Sequence, residues 1–260
     1  MRRLFAAALA FLVVAGPASA QLVQSPINGA QLPGSSAADS ANAGNVGEII
    51  SSTCPSAATT ATVTISQASP GVVSWTTHGF TTACPVVFTT SGSLPAAIVS
   101  GTVYYVVPST ITASTFSVAT TIANALAGTG INTATASTPT TTGTAGAAEA
   151  TTVALGMTGL ALTAGDWDCY GELTRGLGAT TSVTLLKTSI NTSIADGALN
   201  TGTMAQFGTA ANVMANDTTQ IVGPVRVSIA STTNYFLVGD DTFTVSTNKT
   251  YGTMRCRRVR

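Results

Sequence analysis

Val225-Arg226-Val227-Ser228-Ile229 alternates branched apolar and polar side chains with a period of two residues. A β-strand sends successive side chains to opposite faces, so Val225, Val227 and Ile229 line one face and Arg226 and Ser228 the other. The same rhythm sets Trp167, Cys169 and Leu173 on one side of a strand and Asp166, Asp168 and Glu172 on the other. Each such strand has one side for a core and one for water. Working outward, further strands are expected at 159–162, 182–186, 234–238, 243–246 and 251–259, enough for a sandwich. Residues 199–214 carry Gly, Asn and Ala with isolated Met and Phe, and are expected as a long loop over one end of it.

The N-terminal half repeats the theme in shorter blocks. Residues 63–65, 72–75, 86–88, 103–107 and 116–119 are β-branched or aromatic and are divided by turn residues, a spacing that suits a small antiparallel barrel or sandwich. Residues 122–127 form at most a helical turn, and 133–148, Thr, Ala and Gly with no apolar period, read as a linker. Charged residues are only 8% of the chain, against about 25% in an ordinary globular protein, and hydroxyls take their place. The recurrent Val, Ile, Tyr and Phe argue against disorder.

Residues 1–20 have the three parts of an export signal: Arg2 and Arg3, an apolar run from Leu4 to Val14, and Ala18-Ser19-Ala20 before Gln21, which places cleavage between Ala20 and Gln21. Past residue 20 no apolar run approaches the roughly 20 residues of a spanning helix, so no transmembrane span is expected in the mature chain. Loss of Arg2 and Arg3 leaves 8 basic against 10 acidic residues, a net charge of −2 that recruits no nucleic acid. Residues 21–46, rich in Gly, Ser, Ala, Asn and Pro, read as a flexible arm.

A family resemblance enters through particular segments. Val73-Ser74-Trp75-Thr76-Thr77-His78-Gly79-Phe80, Pro85-Val86-Val87-Phe88, Tyr104-Tyr105-Val106-Val107, Phe116-Ser117-Val118-Ala119 and Ala123-Asn124-Ala125-Leu126-Ala127 together resemble a small β module of bacteriophage tail and other virion proteins. Leu162-Thr163-Ala164-Gly165-Asp166-Trp167-Asp168, Pro224-Val225-Arg226-Val227-Ser228 and the terminal Tyr251 to Arg260 resemble a second phage structural domain that ends in an Arg-rich strand. The resemblance implies a virion role and an all-β chain, with a small β-barrel or sandwich module inserted into or preceding a C-terminal jelly-roll-like β-sandwich. Gly47-Glu48-Ile49-Ile50-Ser51-Ser52-Thr53 looks like the opening strand of that sandwich. The module would then occupy 54–138, and the sandwich 47–53 with 148–260.

Four cysteines in an exported chain point to two disulfides among three connectivities. The expected pairs are Cys54 with Cys84, at the entrance of the module, and Cys169 with Cys256, joining two strands of the sandwich; buried free thiols are the alternative. No C-x-x-C spacing and a single histidine argue against zinc, and no cofactor is expected. His78 reads as a turn residue without a nucleophile or an orienting acid. Asp166 and Asp168 read as a solvated strand face rather than a carboxylate pair or calcium site. Arg255, Arg257, Arg258 and Arg260 read as a charged terminal strand at a sheet edge or subunit interface, with an anion-binding patch as the alternative. No G-x-S-x-G elbow or second histidine exists, so an enzyme is not expected.

The expected role is therefore that of a phage tail, fibre or surface-decoration protein, self-associating into a homo-oligomer such as a trimer. It would contact other virion proteins or a host-surface receptor, and be located in the virion. The alternative is a secreted or cell-surface bacterial adhesin of prophage origin, exported by its signal peptide.

Overall fold

The computed structural model describes residues 43–55, 59–137, 141–145, 147–148, 154–194, 204–213, 217–244 and 248–259, all within one compact unit, Asp39–Arg260. The expected cleavage site at Ala20 and Gln21, nearly all of the 21–46 arm, and Arg260 lie outside the described residues. The protein is all-β. Its strands are β1 (Ile49–Thr53), β2 (Thr60–Ile65), β3 (Val73–Ser74), β4 (Pro85–Thr90), β5 (Val103–Val106), β6 (Thr115–Phe116), β7 (Val118–Ala119), β8 (Thr141–Ala145), β9 (Ala147–Ala148), β10 (Leu155–Leu162), β11 (Gly165–Leu177), β12 (Ser182–Asn191), β13 (Met204–Val213), β14 (Thr218–Ile229), β15 (Thr233–Thr244) and β16 (Asn248–Arg258). Among the described residues one short α-helix, α1 (Ile122–Leu126), is capped by Thr121, whose hydroxyl accepts from the Asn124 amide.

Eight strands build the sandwich. One sheet runs β1-β16-β11-β14, with β9 continuing the β1 edge along β16, and the other runs β10-β15-β12-β13. Counted in chain order as first to eighth, these strands stand as 1-8-3-6 and 2-7-4-5, the connectivity of a jelly roll. Alternation decides what fills it. Met254 and Cys256 of β16 and Trp167, Cys169 and Leu173 of β11 point inward, against Met157 and Leu162 of β10, Ile190 of β12 and Leu237 of β15. Tyr251, Thr253, Arg255 and Arg257, the intervening residues of β16, point outward.

Strands β2 to β8 all fall between the first and second strands of the jelly roll and form a separate, strongly curled sheet in the order β6-β3-β2-β8-β4-β5-β7. Its core is Trp75, Phe80, Phe88, Phe116, Val63 and Ile65. A second cluster joins the module to the sandwich: Tyr105, Val107, Ala119, Ile122 and Ala125 pack on Phe236 and Val238 of β15. Covalently, Cys54–Cys84 ties the end of β1 to the start of β4, and Cys169–Cys256 crosses between β11 and β16 inside the sandwich. These are the two expected pairings.

The structure corrects four expectations. The 133–148 linker contains β8, which lies in the middle of the module sheet between β2 and β4, so that sheet continues past residue 138. Its apolar period is missing because Trp75 covers it: a Cβ on Gly143 would come within 2.6 Å of the indole, and only glycine fits beneath that ring. The 199–214 loop contains β13, paired with β12 as an edge strand, where one-sided packing relaxes the apolar pattern. The separate strands at 234–238 and 243–246 are one strand, β15, because Asp240 and Asp241 between them find buried or half-buried cationic partners instead of turning to solvent. Finally, the Arg-rich strand is not at an edge: β16 is hydrogen-bonded to β1 on one side and β11 on the other.

Candidate functional site

The outward face of the β1-β16-β11-β14 sheet gathers most of the exposed functional side chains, and the strand register dictates their rows. Arg257 stands opposite Asp168, which stands opposite Arg226; in the next row Arg255 stands opposite Tyr170; in the next, Thr53 opposes Thr253, and Thr253 opposes Glu172, which opposes Ile221. A depression of about 460 Å³ is lined by Asp168, Tyr170, Arg255, Arg257 and Val259. Two smaller ones continue along the face, one between Tyr170, Glu172, Ile221 and Arg255, the other between Thr53, Glu172, Tyr251 and Thr253. Together they form a groove crossing the strands.

Local structure holds the groove's centre. The pairing of β14 with β11 slips opposite Tyr170, where Gly223 and Pro224 bulge outward. Gly223 has φ +122°, and a Cβ there would lie 2.6 Å from the Cys169 carbonyl and 3.1 Å from the Tyr170 Cα. The bulge therefore presses its backbone onto Tyr170, which is nonetheless 46% exposed. Asp168 is held by a two-pronged bond from Arg226, whose Nη2 donates to Oδ2 at 3.1 Å. That bond raises the pKa of the Arg226 guanidinium above its ordinary value. Arg255 and Arg257 have no ion-pair partner among the described residues.

The three described terminal arginines thus separate. Arg255 and Arg257 face the groove. Arg258 turns inward and is structural: its Nε donates to Glu48 Oε2 at 2.9 Å and its Nη1 to the Ala164 carbonyl at 2.6 Å, its Nη2 bonds Thr163 Oγ1, and its guanidinium lies 4.2 Å over the Trp167 ring. An interface role for Arg258 is therefore corrected to a buried clamp between the start of β1 and the β10–β11 turn. Alternation carries the signal, since 255 and 257 share a parity and 258 does not.

The other singled-out residues are engaged inside the fold. His78 is buried, with Nδ1 accepting from the Phe80 amide at 3.0 Å and Nε2 bonded to the Thr112 carbonyl at 2.9 Å, which makes it a neutral imidazole protonated at Nε2. Phe80 stacks on it and Phe116 meets its edge. Asp166, expected on a solvated face, is buried near the Arg258 clamp, and only Asp168 meets water. Arg175 and Asp241, which sequence reasoning missed as partners, form a fully buried two-pronged pair at 2.6 and 2.8 Å. Thr188, the Lys187 carbonyl and Asn248 complete it, linking the two sheets. Tyr170 was also missed, although its even parity with Asp168 and Glu172 marks it as outward. Among the described residues no three His, Cys, Asp or Glu side chains cluster as metal ligands, and no helix is long and apolar enough to cross a membrane.

The groove thus has two guanidiniums without ion-pair partners, exposed aromatic surface, hydroxyls and one free carboxylate. No protein-family model matches the chain. None of the curated proteins matches it either.

Proposed function

We propose that the chain is a structural protein of a bacteriophage particle, a tail, fibre or surface-decoration component acting in virion assembly or host-surface attachment. One observation carries this reading: the complete jelly-roll strand order with a second β module spliced between its first two strands. Jelly rolls include viral capsid and lectin domains, where the work is assembly and recognition. The segments that resemble phage modules support the same reading. So does the engagement of His78, Arg175 and Asp241 within the fold, which leaves them out of general acid or base work. In this role the chain is a non-enzymatic binding and assembly module that associates with copies of itself, as a trimer, and with other virion proteins or a host-surface receptor.

A second reading, a secreted or cell-surface adhesin of prophage origin, is favoured by the signal-like residues 1–20 together with two disulfides, which persist in oxidising compartments. Mass spectrometry of purified particles separates the two. Peptides from residue 21 onward in virions are the expected result; recovery from host envelope fractions alone would transfer the assignment to the adhesin.

A further inference from the structure

We propose that the groove on the outer β1-β16-β11-β14 face is a binding site for an acidic polysaccharide whose charge is carried by carboxylates, a polyuronate. This rests on the surface-attachment reading for its setting and deepens it by naming the ligand's chemistry. Arg255 and Arg257 are two residues apart on one face of β16, which spaces them by about 7 Å, the distance between neighbours on the same side of a strand. Each presents a planar donor fork that matches a carboxylate. Asp168, between Arg257 and Arg226, is taken by Arg226, so it does not neutralise the pair through an ion bridge of its own. Tyr170 offers a half-exposed ring beside them, an apolar surface against which the C–H face of a sugar can lie. Further along, Glu172, Thr53 and Thr253 supply acceptors and donors for sugar hydroxyls.

Charge complementarity selects this occupant over other polyanions. The groove mixes the two free guanidiniums with Glu172 and the shared Asp168, and the chain after residue 20 is net acidic. A single-stranded nucleic acid calls for a uniformly basic groove with aromatic side chains for successive bases, whereas this groove has one tyrosine and a carboxylate beside its guanidiniums. A polyuronate sets its carboxylates among sugar hydroxyls, which matches the Arg255 and Arg257 forks and the Thr53 and Thr253 hydroxyls.

Calorimetric titration of the full chain with oligogalacturonate, hyaluronan and alginate oligosaccharides tests the proposal, with methyl-esterified oligogalacturonate and single-stranded DNA as comparators. At least one uronate should bind, the ester at least tenfold more weakly, and the DNA not at all. Arg255→Ala with Arg257→Ala should weaken uronate binding by at least thirtyfold. Tyr170→Ala should weaken it about tenfold, with both variants retaining the parent's unfolding midpoint. No binding of any uronate up to millimolar concentration, equal affinity for ester and acid, preferential binding of DNA, or retained affinity in the double arginine variant would each overturn it. Particle mass spectrometry is read separately: chain found in virions that binds no uronate defeats this inference alone, whereas uronate binding by a chain confined to host envelopes defeats the virion reading alone.

Discussion

Arg175 and Asp241 carry opposite charges at zero side-chain exposure, and the fold keeps both because the guanidinium donates to Asp241, Thr188 and the Lys187 carbonyl while both carboxylate oxygens accept. Two charges taken out of water recover that cost only in good geometry, so losing one partner is far worse than losing both. Asp241→Ala is expected to destabilise the protein by about 3–5 kcal/mol in denaturant unfolding, and Arg175→Met combined with Asp241→Leu to recover most of that loss. An exposed pair such as Arg226 with Asp168 should contribute far less, because water and salt screen it. Tyr105 gives a pH counterpart. Its phenol is buried between module and sandwich, and burial raises its pKa above the ordinary value. Its folded pKa is therefore higher than its unfolded one, so its contribution is complete below the unfolded value of about 10 and declines as pH rises past it. Stability measured between pH 9 and 11.5 should fall above about pH 10 by up to roughly 1.4 kcal/mol per pH unit from this group. Tyr105→Phe should flatten that part of the curve.

At the scale of elements, β8 and β16 show how neighbours decide what a strand's sequence looks like. The Thr-Thr-Gly-Thr-Ala run of β8 has Thr141, Gly143 and Ala145 buried, an inward face made of small residues because Trp75 fills the space above it. Hydrophobic periodicity could not reveal a strand whose core partner is supplied wholly from across the sheet. Gly143→Ala should force the indole aside at a cost of about 1–3 kcal/mol and shift the tryptophan emission, an effect read by fluorescence-monitored unfolding. In β16 the alternation was legible, since Met254 and Cys256 share a parity, yet the strand's place between β1 and β11 was not. Whether an Arg-rich strand lies at an edge depends on which distant segment pairs with it, and β1 is some 200 residues away.

Across the whole molecule, the two disulfides close loops of different size, 30 residues for Cys54–Cys84 and 87 for Cys169–Cys256. Loop entropy in the unfolded chain grows with the logarithm of length, so removing the longer loop by paired Cys→Ala changes should cost about 1 kcal/mol more than removing the shorter. Thermal unfolding of the two paired variants compares them; equal losses would show that native packing around Cys169 and Cys256 sets the effect instead. By itself the amino-acid sequence determined the β class, most strand positions and which faces are wet, because the two-residue period is a local property of an extended backbone. The even count of cysteines pointed to two disulfides and favoured one pairing of three, which the structure then shows. Only the tertiary structure decided that Arg258 and Asp241 are interior charges, that Gly143 sits under an indole, and that Arg255, Arg257 and Tyr170 share one groove. Those facts depend on the register between strands far apart in the chain, and register is set by the packing of the whole sandwich.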